Sequence, residues 1–116
     1  MLIIEGYSGK SLEVAKYVDA LDNQYVLIIT NDKSALNSIT CTSHSRVYFT
    51  EQSNVEDIEN LLKFNNMFNH VIFYQNVEKE DIDIYKELER KFDLEAILTV
   101  QSHDRENPRE VTKYTV

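Results

Sequence analysis

The sequence predicts an α/β fold: a single doubly wound, mainly parallel five-stranded sheet with helices on both faces. Three observations carry this. The short runs Leu2–Ile4, Val26–Ile29 and Val71–Tyr74 are wholly or almost wholly apolar, which suits strands covered on both faces. The stretches between β-type runs place apolar residues at helical spacing. The two kinds of segment alternate along the chain at the spacing of strand–helix–strand units.

Taken in order, Leu2–Glu5 is the first strand. Leu12, Ala15, Val18 and Leu21 repeat at three and predict a helix over Leu12–Leu21. Tyr25–Thr30 is the second strand. The crossover Asp32–Ser45 is rich in Ser, Thr and Asn, so a short helix is expected there. Arg46–Thr50 is the third strand. Ser53-x-x-Glu56 has the form of a capping box and precedes an apolar stripe of Val55, Ile58, Leu61 and Leu62. His70–Tyr74 is the fourth strand. The acidic stretch Glu78–Asp83 suits a helix N-terminus, and Tyr85, Leu88 and Phe92 form the stripe that follows. Ala96–Gln101 is the fifth strand. Pro108 then breaks the chain, and Val111–Val116 is a candidate sixth strand. A tight reversal over Arg105–Glu110 would set it antiparallel to the fifth.

At 116 residues the chain reads as one domain with room for a core. Its net charge is −8, with 12 Lys/Arg scattered among 20 Asp/Glu. Direct binding to duplex nucleic acid needs a basic face and is not expected; Arg105, Arg109 and Lys113 read as a solvated local group. No apolar run approaches the roughly 20 residues of a membrane helix, and Met1 leads into a strand without a basic stretch, so neither membrane span nor secretory signal is expected. Cys41 is the lone cysteine, which fits a reducing cytoplasm and an unreactive small side chain. His44, His70 and His103 have no metal-ligand spacing to each other or to Cys41.

In doubly wound sheets ligands bind at the carboxyl ends of the strands, here Glu5–Ser11, Asn31–Ser34, Glu51–Ser53, Gln75–Asn76 and Gln101–Asp104. The first of these carries the chemistry. A strand runs into Gly6-Tyr7-Ser8-Gly9-Lys10-Ser11 and a helix follows at once. Such a turn can aim backbone N–H groups and a helix N-terminus at a phosphate. Glycine permits the positive φ this requires.

With Gly9-Lys10-Ser11 at the helix start, the chain resembles a small P-loop NTPase core of the RecA/KaiC-like kind. The family pattern is G-x-x-x-x-G-K-[ST]; Ile4 stands five residues before Gly9, and with Gly6 as the first glycine the loop is two residues short. Tyr7 is bulky where the family often carries a small residue. The resemblance assigns phosphate binding to Gly6, Ser8, Gly9, Lys10 and Ser11. Val26–Ser34 looks like the core strand that ends in a catalytic glutamate, and Asp32 is its only substitute. His70–Asn76 looks like the Walker B strand, but Tyr74, Gln75 and Asn76 replace the metal-binding aspartate. Ala96–Gln101 resembles the later strand ending in a polar sensor residue, here Gln101. Asp32, Asn76 and Gln101 are therefore accessory candidates.

Together these features imply a degenerate, RecA-like domain. It should bind ATP, GTP or phosphate weakly, with little Mg²⁺ dependence and no efficient hydrolysis. It has no assigned catalytic residue or metal site. The resemblance also implies the strand order 5-1-4-3-2, with the first strand between the fifth and fourth. Two other readings stay open. A core stripped of its acids can serve as an interaction or regulatory module, forming a homodimer through faces near the turn or binding an ATPase partner. The segment Gly6–Val18 is also similar to the first phosphate loop and helix of flavodoxin-like FMN-binding proteins, whose order is 2-1-3-4-5. Phe49 and Tyr74 lie in strands, which suits a core better than flavin stacking.

Overall fold

The structure, a computed structural model, describes residues 1–21, 24–39 and 46–116. Cys41 and His44 lie outside the described residues. The elements are β1 (Leu2–Gly6), α1 (Lys10–Ala20), β2 (Tyr25–Thr30), α2 (Ser34–Ile39), β3 (Arg46–Glu51), α3 (Val55–Phe64), β4 (His70–Val77), a 3-10 turn (Lys79–Asp81), α4 (Ile82–Phe92), β5 (Glu95–Gln101) and β6 (Val111–Thr115). They form one mostly parallel sheet with helices on both faces, the expected fold class.

The sheet order is β3-β2-β4-β5-β1-β6, and β6 alone runs antiparallel. Two expectations are corrected here. First, β1 lies between β5 and β6, not between the fifth and fourth strands. Second, β6 pairs with β1 and not with β5. The reason lies in the connections. The β5–β6 link carries no helix, so the chain can turn back antiparallel, and β1 already occupies the free side of β5. β3 sits at the outer edge beside β2. The flavodoxin order is not seen.

The winding explains the two layers. From β1 to β2 to β3 the chain steps toward one edge; from β3 to β4 to β5 it steps back. Right-handed crossovers then put α1 and α2 on one face and α3 and α4 on the other. Ile4, Val26, Ile28, Ile72 and Ile97 face α1 and α2, where Val14, Val18, Ala35 and Ile39 are buried. Ile3, Leu27, Ile29, Val71, Phe73 and Leu98 face α3 and α4 and meet Ile58, Leu62, Tyr85 and Leu88. Phe49 packs half-buried against the first layer, and Tyr74 is buried in it.

Two local expectations also change. The buried stripe of α1 is Lys10, Val14 and Val18, spaced by four, and Leu12 is 62% exposed. The α3 cap is Asn54, not Ser53: its side chain accepts from the N–H groups of Glu56 and Asp57. Among the described residues no helix is long and apolar enough to cross a membrane.

Candidate functional site

The Gly6–Ser11 turn leaves the carboxyl end of β1 and enters α1. Gly9 is the α1 N-cap with φ 81°, and no side chain caps this helix. The left-handed conformation costs a residue with a Cβ about 1–2 kcal/mol, so glycine is required there by its backbone. Gly6 sits in tight space: a Cβ would meet Val111 Cγ2 at 3.2 Å and Lys10 Cγ at 3.3 Å.

Lys10 departs from the expected exposed helix-start residue. It is only 4% exposed. Its side chain folds back past Gly6, and Nζ donates to the Gly6 carbonyl at 2.5 Å and to Gln101 Oε1 at 3.0 Å. Burial pushes the pKa of the ammonium below its ordinary value. Gln101 in turn donates through Nε2 to the Tyr7 and Ser102 carbonyls. Ser8 donates to the Pro108 carbonyl at 2.6 Å. Segment 102–110, between β5 and β6, is thus tied to the turn.

The other candidates are distributed. Ser11 lies in hydrogen-bonding reach of the Tyr74 hydroxyl, as does the Asn76 side chain. Burial raises the Tyr74 pKa, and these two contacts oppose it. Asn76 sits at a bulge where β4 slips against β5, with φ 47° and its N–H on Thr99 Oγ1. Its Oδ1 is buried without a partner. Asp32 is exposed and accepts from the N–H and hydroxyl of Ser34, which hold its carboxyl below the usual range. It turns toward α2 and does not join Lys10. Of the accessory residues, the structure brings Gln101 to Lys10, while Asn76 and the charge of Asp32 both act on Tyr74, the residue beside Ser11.

The switch point of the sheet lies between β2 and β4, whose following helices go to opposite faces. Its crevice is filled by a clamp that sequence reasoning missed. Gln75 Nε2 donates to the Ile29 and Gln52 carbonyls, and Asn31 Nδ2 donates to the Gln75 carbonyl. Nothing local marks Gln75 for this task, since its partners lie on β2 and just beyond β3.

Beside Ser8 and Gly9 a surface depression is lined by Leu12, Glu13, Arg109 and Val111. Arg109, read from sequence as solvated loop, is thereby placed near the uncapped α1 N-terminus. Glu13 is engaged by Lys113 and Lys16, and its pKa falls, first through the Lys113 hydrogen bond.

A P-loop NTPase core holds a divalent cation between the Ser/Thr hydroxyl and the Walker B acid. The donors here do not fit that ion. Ser11 faces a tyrosine hydroxyl, β4 offers the amides of Gln75 and Asn76, and hard cations prefer carboxylates. No protein-family model matches the chain, and no curated protein sequence matches it.

Proposed function

We propose that this chain is a degenerate, RecA-like P-loop core that binds a phosphate group weakly at the Gly6–Ser11 turn and does not hydrolyse nucleotides efficiently. The observation that carries the reading is Gly9 as a left-handed N-cap, which leaves the α1 N-terminus without a side-chain cap directly after β1. A helix start of this kind favours anions through its free N–H groups and dipole. Affinity is weak, on the order of 0.1 to 1 mM, because the loop is short and Lys10 is turned away. The amide-lined end of β4 makes binding nearly independent of Mg²⁺. The lone Cys41 suits a cytoplasmic protein.

Isothermal titration with ATP, GTP and inorganic phosphate, with and without Mg²⁺, tests this. Binding should appear in every arm and weaken several-fold in Arg109→Ala. Flat titrations for all three ligands would remove the reading.

A second reading is favoured by the bonds from Ser8 to Pro108 and from Gln101 to Tyr7, which occupy the turn with the chain's own groups. In that case the domain is an interaction module that forms a symmetric dimer or regulates an ATPase partner. A dimer mass in light scattering at about 100 µM, together with flat titrations, supports it.

A further inference from the structure

We propose that Gln101 is a latch that keeps the Lys10 ammonium on the inner side of the Gly6–Ser11 turn, away from the face that receives an anion. The inference rests on the phosphate-binding reading and adds a regulatory contact to it. Five contacts build the latch. Gln101 Oε1 accepts from Lys10 Nζ at 3.0 Å. Gln101 Nε2 is fixed at the same time by the Tyr7 carbonyl at 3.3 Å and the Ser102 carbonyl at 3.0 Å. The amide therefore cannot swing without breaking both ends. The Gly6 carbonyl accepts the ammonium at 2.5 Å and also the Ser102 N–H at 3.0 Å. One end of β5 thus grips both the strand and the lysine.

The chemistry favours release only when something better is offered. A neutral amide and a carbonyl hold an ammonium with charge-assisted bonds, but neither brings a counter-charge. The buried cation consequently sits in a place that lowers its pKa. A phosphate at the turn supplies the missing negative charge. Moving Lys10 to it must first break the Gln101 bond, so latch and anion compete for one ammonium. The stem can move because Gly6 presents no Cβ at the point where Lys10 Cγ passes.

The test uses the full chain and has two readouts. Amine acetylation, followed by peptide mass spectrometry, reports access to Lys10 without any ligand. Titration with inorganic phosphate reports binding. In wild type, Lys10 should react more slowly than the exposed Lys16 and Lys33. Gln101→Ala should speed its acetylation about tenfold, the loss of one hydrogen bond to a charged group, and tighten phosphate binding by a similar factor. Gln101→Glu keeps the side-chain length and adds a charge, so it should slow acetylation further and weaken phosphate binding. Circular dichroism identifies a variant that has merely unfolded, and the two substitutions act with opposite sign. Wild-type Lys10 reacting as fast as Lys16, or acetylation unchanged in both variants, would overturn the latch. So would measurable phosphate binding that neither variant alters. Faster acetylation in Gln101→Ala with no phosphate binding in any protein supports the latch and removes the phosphate reading.

Discussion

Gly6 and Lys10 approach so closely that a Cβ on Gly6 would stand 3.3 Å from Lys10 Cγ and 3.4 Å from the Glu110 carbonyl oxygen. The flexible lysine can yield, but the tightest neighbour is the branched Val111 side chain, whose Cγ2 would lie 3.2 Å away. Gly6→Ala should therefore destabilise the fold by about 1–3 kcal/mol, the usual cost of overpacking. Gly9→Ala acts by another route. Only Val111 Cγ2 comes near, at 3.8 Å, and the cost is backbone strain of about 1–2 kcal/mol. Urea unfolding measures both. Val111→Ala should relieve much of the first loss and little of the second.

The Gln75 clamp predicts a comparable loss at a residue with no role at the turn. Its side chain is buried and satisfies two carbonyls on neighbouring segments. Gln75→Ala leaves both without that donor and should cost about 1–3 kcal/mol. Gln75→Glu should be worse near neutral pH, because an ionised carboxylate cannot donate to either carbonyl. Phosphate binding, normalised to folded protein, should stay unchanged in Gln75→Ala.

The strands were legible because apolar runs such as Val26–Ile29 declare burial on both faces. Order and pairing were not, since they depend on which edge each crossover reaches. Val111–Thr115 carries no sign that its partner is Leu2–Gly6 rather than the nearer β5. The α1 stripe departs from the apolar pattern because Leu12 sits in the first turn beside the surface depression, while Lys10 takes the inward position. A lysine reads as exposed unless its partners are known. Here they are a backbone carbonyl and a glutamine 91 positions away. Gly9 was legible as a place where positive φ is allowed, because glycine carries no Cβ. The fold class therefore came from local pattern, and the state of the site came from distant contacts.

Tyr114 gives a prediction in alkaline solution. Its hydroxyl donates to Glu5 Oε1 at 2.7 Å, and burial followed by that carboxylate pushes its pKa up from the ordinary 10.0 to about 12. The folded value lies above the unfolded one, so the bond stabilises fully below pH 10.0 and fades as pH rises towards about 12. Stability of wild type minus Tyr114→Phe should be constant and positive up to pH 10.0, then shrink over that window. Tyrosinate absorbance should show a late-titrating residue in wild type that Tyr114→Phe lacks.

Lys10 separates architecture from binding. Its stem fills space against Gly6, and its ammonium serves Gly6 and Gln101. Lys10→Ala removes both, so it should cost about 2–4 kcal/mol through truncation of a buried side chain and loss of charged donors. Lys10→Met retains most of the stem and should lose about 1–2 kcal/mol, the part due to the hydrogen bonds. If a bound phosphate draws the ammonium off Gln101, both variants should bind it more weakly once normalised to folded protein, by up to about tenfold, since part of that contact is offset by breaking the latch. The stem matters to stability and the ammonium to affinity, so the two substitutions should differ in urea midpoint and agree in titration. A Lys10→Met protein that binds phosphate like wild type would leave the α1 N-terminus and Arg109 as the whole of the site. Equal stability of the Ala and Met variants would show that the buried stem contributes nothing.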